Sequence, residues 1–464
     1  MAVPSKHTTR SSFRPTQVVT LMESARTQFL KSEVDSAPRS PPSPAPSINN
    51  AFPPELLLSV FDVIYAEMIQ QFSHTLTKSQ VVAMHKRHAL LDAMLVCRAW
   101  HDLVVATPQY WTMVNVGIWE SLGSSQRGTG RSGNGEAQRM NLQRQLKRSG
   151  ELPIQINVQL DSVEDPAAVV DLLRNQAHRW QALNLLPTWR TGLRRPIRQN
   201  QLSGLFDLPL PCLTSLNIGR RLISPDLGEG NGTTSWQVGA PHLRALSCDL
   251  RLVIPTSPSH LRYLSIANID LEDLQPFPDE LSVELGQLVE LRITTCNLGA
   301  ILSTFSAPIL NKLIVEDCQS DDPPLKPLPQ YQHLKELQWE DFGPDPTFAA
   351  LVSLCPNLRL FSNYIAGREG DLSSNTLFGT PTILLNIRRQ ARAEDCLWPN
   401  MMEILLDCAT CTEIAELIDA MPSIQKVTVL QDPTTDGRPE DQTRESQLLE
   451  RLREKISIVV WFEP

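Results

Sequence analysis

The chain carries two kinds of hydrophobic pattern, one helical near residue 60 and one strand-like over most of the remainder. In the first, apolar residues recur every three or four positions, from Leu57 through Phe61 to Ile64, and this spacing predicts an amphipathic helix. Residues 89–106 have few polar positions and predict a second helix. Pro108 ends it, because the residue before a proline is biased away from helical conformation.

A six-residue cassette, Leu-x-x-Leu-x-apolar, recurs over the C-terminal part of the chain. Clear copies begin at Leu213, Leu243, Leu261, Leu288, Leu310 and Leu334, and weaker copies begin at Trp180, Leu358, Met401 and Ile424. Alternating apolar positions predict a short strand with one buried face. The copy at Leu288 extends to Cys296 and Leu298, which fits the leucine-rich-repeat pattern.

Recurrence of the whole cassette predicts an α/β fold in which each unit supplies one strand and returns by a helix or an irregular segment. Stacked units line their strands side by side in parallel, so the expectation is a leucine-rich-repeat solenoid. Return helices are predicted over residues 347–354 and 412–421, the second behind a capping box of Thr410 and Glu413. The unequal repeat lengths predict an irregular, open horseshoe. The alternative is an ordinary α/β domain, whose parallel strands are also apolar runs.

Composition divides the chain into four parts. Residues 1–50 are rich in Ser and Pro and predict a disordered tail, because they cannot bury enough apolar surface to offset the entropy of ordering. Residues 51–116 form the helical module, and residues 117–139 predict a flexible Gly/Ser-rich loop. The repeat domain covers residues 140–464, and residues 431–464 are its C-terminal cap.

The helical module resembles an F-box. The resemblance is carried by the stretches PPELL at residues 53–57, LVCRAW at residues 95–100 and TPQYW at residues 107–111. It is similar to the F-box proteins that are abundant in mushroom-forming fungi, which implies docking onto the Skp adaptor of a cullin-RING ubiquitin ligase. The adaptor-facing residues implied by the resemblance are Pro54, Leu56, Leu57, Val60, Phe61, Leu95, Val96, Cys97 and Trp100. One departure is an insertion near residues 71–87, between the first two stretches.

Composition also excludes several classes of function. No run of eighteen apolar residues occurs, so no membrane span is predicted, and the first residues lack the apolar core of a secretory signal. Both observations predict a location in the cytoplasm or nucleus. The formal charge of −9 argues against general nucleic-acid binding, which needs a positive face. Nine cysteines without a regular pattern predict reduced thiols.

Candidate chemistry is sparse. Cys408 and Cys411 form the sole CxxC, but a zinc site would need a second pair. Cys97 could act as a nucleophile beside His101, although no orienting acid accompanies them. The arginine cluster of residues 190–198 predicts an exposed loop, with an acidic ligand as the alternative. We therefore predict no catalytic residue, no metal site and no cofactor.

Function is expected to lie in surfaces. Between the inward-pointing cassette positions, outward-facing residues predict a target-binding face of Asn217, Ser247, Ser265, Arg292, Ile314 and Gln338. Together with the F-box resemblance, this face predicts a non-catalytic substrate receptor of an SCF-type (Skp–cullin–F-box) ubiquitin ligase. Its partners would be the Skp adaptor, through it a cullin and a RING subunit, and an unknown target protein. The alternative is a stand-alone leucine-rich-repeat scaffold outside any ligase.

Overall fold

The computed structural model describes most of the predicted helices and strands of the chain. The described residues are 53–72, 89–116, 134–159, 166–185, 197–198, 208–218, 223–224, 236–248, 253–255, 258–267, 283–296, 298–316, 318, 328–340, 346–364, 387, 398–406, 410–429 and 439–460. The predicted tail, the centre of the insertion, Cys408 and most of the arginine cluster lie outside these residues. The chain divides into two compact units, Met1–Ile64 and Tyr65–Pro464.

In the region with the helical pattern, the residues that the structure describes form three α-helices. Helix α1 covers Pro54–Phe72 and begins with a proline, which the first turn tolerates because its N–H would be unpaired there. The prediction of a single helix over residues 89–106 is wrong, because the chain forms two helices there, α2 (Ala89–Met94) and α3 (Arg98–Ala106). The break occurs where Cys97 adopts an extended conformation and caps α3. As predicted, α3 ends before Pro108.

Helix α4 (Asn134–Arg148) begins within the segment 117–139 that was predicted to be a flexible loop. Residues 134–139 were expected to belong to the flexible loop, and they are helical. The Glu136 carboxylate lies in the first turn, where it favours the helix dipole, and it accepts a 2.8 Å hydrogen bond from Arg139 Nε. Strand β1 (Met113–Val116) precedes α4, and β2 (Ile154–Val158), α5 (Pro166–Arg174) and β3 (Trp180–Leu185) follow it.

One thirteen-stranded sheet dominates the second unit, which agrees with the predicted α/β class. Its ten further strands are β5 (Ser215–Ile218), β8 (Ala245–Cys248), β10 (Tyr263–Ala267), β12 (Glu290–Thr294), β14 (Lys312–Glu316), β15 (Glu336–Glu340), β16 (Leu360–Tyr364), β17 (Glu403–Leu406), β18 (Lys426–Val429) and β19 (Ser457–Val460). The strands lie in chain order, and every neighbouring pair is parallel. The cassettes therefore supply successive neighbours in this sheet.

The segments between these strands contain both helices and short ladders. The helices are α6 (Leu298–Thr304), α7 (Pro346–Ser353), α8 (Cys411–Ala420) and α9 (Pro439–Lys455). Helices α7 and α8 confirm the two predicted return helices. Three parallel ladders were not predicted: β4 (Ile197–Arg198) with β6 (Ile223–Ser224), β7 (Trp236–Val238) with β9 (Val253–Pro255), and β11 (Val283–Glu284) with β13 (Phe305–Ser306).

The hydrophobic core follows the cassette directly. The second leucine of each cassette is buried in register with its neighbours, as in the series Leu216, Leu246, Leu264 and Leu291. The first leucine lies in the turn before the strand and is also buried. Because side chains alternate along a strand, the residue between the two inward positions lies on the opposite face of the sheet.

Candidate partner-binding surfaces

The first surface is one face of α1. Leu56, Val60 and Val63 are 55%, 41% and 54% exposed. Their spacing of four and three residues places them on the same side of the helix. The structure thus leaves an apolar stripe in water at the start of α1.

The other F-box positions on α1 differ from this stripe. Pro54 is exposed, and Leu57 is half-buried. Phe61 is fully buried, so the prediction that it faces an adaptor is corrected: a helix advances by about 100° per residue, which turns Phe61 away from the stripe and toward the side of Tyr65. Phe61 is therefore a core residue.

The second surface is the turn between α2 and α3. Leu95 is 75% exposed and Val96 is 56% exposed, while Cys97 and Trp100 are half-buried. The turn holds these side chains outside because Cys97 leaves helical conformation and its Sγ accepts a 3.5 Å hydrogen bond from the Trp100 amide. Two large apolar side chains thus stand at the tip of this turn.

The far side of α3 packs against residues that follow it in the chain. Val104 is fully buried, and its carbonyl oxygen accepts a 3.0 Å hydrogen bond from Trp111 Nε1. Nearby, the Tyr65 hydroxyl lies 2.9 Å from Thr112 Oγ1 and accepts a 3.1 Å bond from the Met113 amide. Burial raises the pKa of Tyr65, so its phenol is neutral at physiological pH. The Trp111 bond fixes the end of α3 to the residues before β1, and the Tyr65 bonds fix α1 to the start of β1.

The cysteines predicted as weak candidates have structural positions. The Cys97 thiol caps α3, and His101 Nδ1 lies 3.0 Å from Asp102 Oδ1. Cys411 is buried at the start of α8, directly after the N-cap residue Thr410. In the capping box, Thr410 Oγ1 accepts from the Glu413 amide at 3.2 Å, and Glu413 Oε2 accepts from the Thr410 amide at 2.8 Å. Across the described residues, no group of three His, Cys, Asp or Glu side chains could hold a metal ion.

The third surface is the face of the main sheet opposite the core. All six residues of the predicted target-binding face lie at matching register positions on consecutive strands: Asn217, Ser247, Ser265, Arg292, Ile314 and Gln338. Five of them are half-buried. We correct the assignment of Ile314, which is almost fully buried. Its register neighbours Arg292 and Gln338 have long side chains that leave little of an isoleucine in water.

A half-buried carboxylate, that of Glu316, holds Arg292 in place. Arg292 Nε donates a 3.0 Å hydrogen bond to Glu316 Oε2, and Arg292 Nη2 contacts Glu316 Oε1. Thr294 Oγ1 donates to the same Oε2 at 3.3 Å. The charge of Arg292 is therefore matched by Glu316 on this face.

The same register row extends toward β1 through asparagines that sequence reasoning missed. Asn157 Nδ2 donates to Asn115 Oδ1 at 2.8 Å, and Asn184 Nδ2 donates to Asn157 Oδ1 at 2.7 Å. Asn217 continues the row. The signal is present in the sequence, because each of these asparagines is flanked by two aliphatic residues. We call the residues Asn115, Asn157 and Asn184 the asparagine row.

Comparison with known proteins does not assign the chain to a family. None of the helices in the described ranges is long and apolar enough to cross a membrane. No protein-family model matches the sequence, and no curated protein matches it.

Proposed function

We propose that the chain is a non-catalytic substrate receptor of an SCF-type ubiquitin ligase. In this proposal, α1 and the turn between α2 and α3 dock the Skp adaptor, and through it a cullin and a RING subunit. The sheet domain is an irregular leucine-rich-repeat solenoid, an open horseshoe, that recruits a target protein. The ligase supplies the chemistry and the receptor supplies proximity, because tethering raises the effective concentration of the target.

The exposed apolar side chains of the first two surfaces carry this proposal. Burying apolar surface stabilises a complex by roughly 25 cal/mol per Å², so side chains such as Leu56, Leu95 and Val96 favour association. These residues belong to the stretches that resemble an F-box. Single exposed apolar residues are common on proteins, but clustered ones mark interaction sites.

The regularity of the main sheet supports the solenoid part of the proposal. Its strands follow chain order, each strand is parallel to the next, and the cassette leucines occupy equivalent buried positions. Repeat units that stack on their neighbours produce this arrangement. An ordinary α/β domain more commonly changes strand order at a switch point.

Adaptor binding should be lost when charge is placed on both apolar surfaces. We predict that Val60→Asp with Leu95→Asp weakens capture of the Skp adaptor by at least about tenfold, since each residue is an apolar anchor worth roughly 1 kcal/mol or more. Both side chains are exposed in the free chain, so the variant should fold. The measurement is a pull-down of purified adaptor with the full-length chain, followed by titration.

A matched control uses two exposed apolar residues elsewhere, Met140→Asp with Ile309→Asp, which are 50% and 43% exposed. This variant should bind the adaptor normally. Equal weakening by both variants would contradict the assignment of the docking surfaces. If the folded wild-type chain captured no adaptor, the stand-alone scaffold would replace the receptor.

A further inference from the structure

The turns that enter the strands of the main sheet carry a line of cations. Arg244 directly precedes β8, Arg262 precedes β10, Lys335 precedes β15 and Arg359 precedes β16. All four side chains are exposed. We call these four residues the basic edge.

Backbone hydrogen bonds connect neighbouring residues of the basic edge. The Arg262 amide donates to the Arg244 carbonyl at 2.8 Å, and the Arg359 amide donates to the Lys335 carbonyl at 2.9 Å. The edge therefore consists of two cation pairs, each on adjacent strands. Strands β12 and β14 lie between the pairs, and their entering residues Val289 and Asn311 continue the same line of backbone bonds. These two residues are uncharged, so the charge falls at both ends of the line.

Acidic residues are absent from the described turns at this edge. Residues 208–214, 239–244, 258–262, 285–289, 307–311, 328–335, 354–359, 398–402 and 421–425 contain no Asp or Glu, although the whole chain carries a formal charge of −9. On the strands themselves, Glu336 and Glu403 pair with Lys312 and Lys426 near the entry edge, and Glu290 lies at the first position of β12, one residue beyond Val289. The edge is thus a positive strip on an acidic protein.

Exposed histidines add hydrogen-bonding capacity to the same turns. His242, His260 and His333 each lie two residues before a cation of the basic edge, and each is exposed. Imidazole nitrogens donate hydrogen bonds to carboxylate oxygens. The strip therefore combines charge with directional donors.

We propose that the basic edge binds an extended acidic segment of the target protein. This proposal rests on the proposed function in one respect only, because it names the partner that the receptor would recruit. Neighbouring strands lie about 4.8 Å apart, so the line from Arg244 to Arg359, which spans five strand spacings, is about 24 Å long. An extended chain covers that length with about seven or eight residues at roughly 3.3 Å each.

The spacing of the cation pairs defines the ligand more sharply. Arg262 and Lys335 are separated by three strand spacings, about 14 Å, which corresponds to roughly four residues of an extended chain. The matching segment carries two acidic pairs separated by about four neutral residues. A nucleic-acid backbone lacks such a gap, because its phosphates are spaced regularly.

The test is a binding titration by fluorescence anisotropy at low ionic strength, where exposed charges are least screened. The probe is a labelled peptide with two Glu-Glu pairs separated by four neutral residues. A permuted peptide places all four glutamates together. We expect the intact chain to bind the spaced peptide several-fold more tightly than the permuted one.

Charge reversal identifies the binding residues. Arg262→Glu with Lys335→Glu should weaken binding of the spaced peptide by about tenfold, since two attractive contacts become repulsive. The control, Arg144→Glu with Arg451→Glu, changes the net charge equally at exposed helical positions and should bind like the wild type. Circular dichroism of both variants separates loss of binding from loss of folding.

Three results would overturn the proposal. Equal binding of the two peptides, or equal loss in both variants, would reduce the effect to general charge attraction. A single-stranded RNA oligonucleotide that bound more tightly, and lost binding in the same variant, would make the edge a nucleic-acid surface. The titration contains no adaptor, so a negative result here leaves adaptor docking standing. Conversely, a chain that fails to bind the adaptor can still be tested for peptide binding, because the two measurements use different surfaces and different ligands.

Discussion

At the scale of single residues, Arg179 shows how one buried cation can organise a junction. Its Nη1 donates to Ser149 Oγ and to the Leu152 carbonyl, both at 3.0 Å, and its Nη2 donates to the Leu146 carbonyl at 3.0 Å. Nε donates to Gln176 Oε1 at 2.7 Å. Burial lowers the pKa of Arg179, yet a guanidinium remains charged at neutral pH. The cation also lies where the last carbonyls of α4 need donors.

Replacing Arg179 should therefore destabilise the packing of the end of α4 against the segment before β3. We predict that Arg179→Met lowers the free energy of unfolding by about 3 kcal/mol, because several buried acceptors lose a charged donor. Chemical denaturation measures the change. Arg139→Met removes an exposed arginine from α4, the helix whose last turn Arg179 contacts, and should leave the unfolding midpoint almost unchanged. A similar decrease in the free energy of unfolding in both variants would contradict the structural role of Arg179.

A buried thiol makes stability depend on alkaline pH. Burial raises the pKa of Cys355 to about 12 from its ordinary value of 9.0. Burial also raises the pKa of Tyr331, whose amide donates to the Leu354 carbonyl at 2.9 Å. Because the native state holds these protons above the pH at which the unfolded chain releases them, the stabilisation is complete below pH 9.0 and is lost as the pH rises.

The thiol contribution can be isolated by substitution. Wild-type stability should fall between about pH 9 and about pH 12, with a slope of up to about 1.4 kcal/mol per pH unit for each proton. Cys355→Ala should fall less steeply, because the buried thiol no longer contributes. Urea unfolding at several pH values gives the slopes. Cys212→Ala, which removes an exposed thiol, should retain the wild-type slope, and a flattened slope there would contradict the assignment.

At the scale of secondary-structure elements, the asparagine row joins three strands through their side chains. Asn157 is almost fully buried and is bonded on both sides, to Asn115 and to Asn184. Backbone bonds already connect these strands, so the side-chain bonds fix the register in addition. A slip by one residue would bring aliphatic side chains onto the row and leave the amides without partners.

Asn157, at the centre of the asparagine row, should contribute more to stability than Asn217, which lies on the next strand beyond the row. We predict that Asn157→Ala lowers the free energy of unfolding by about 1–3 kcal/mol, because the half-buried amides of Asn115 and Asn184 both lose a hydrogen-bond partner. Asn217→Ala, at the same register on the next strand but half-buried, should cost less than about 0.5 kcal/mol. Thermal and urea unfolding of the two variants give the comparison. Equal costs would contradict the proposed role of the row.

The elements also show what local pattern can and cannot predict. The cassette strands could be predicted because burying one face of a strand makes apolar residues recur at every second position of the sequence. The break at Leu95–Cys97 was not, because apolar residues continue through it and the capping role of Cys97 leaves the hydrophobic pattern unchanged. The ladders of two or three residues were equally hidden, since strands of that length show no hydrophobic period.

At the scale of the whole molecule, the sequence predicted the α/β class and the row of outward-facing positions from the recurrence of one cassette. It did not predict the burial of Phe61 or of Ile314, because burial depends on which residues become spatial neighbours. The same holds for the asparagine row and the basic edge, which exist only once the strands are in register. Adaptor docking is a prediction that the pull-down tests.

Chain order and strand order coincide throughout the main sheet, although the excursions between strands differ greatly in length. The chain leaves β16 at Tyr364 and returns at Glu403, whereas it leaves β8 at Cys248 and returns at Tyr263, yet both pairs of strands remain in register. Closing a longer loop costs only slightly more entropy. During evolution, mutation can therefore lengthen or shorten an excursion while the recognition positions keep their places. New specificity can accumulate in the excursions without rebuilding the sheet that carries them.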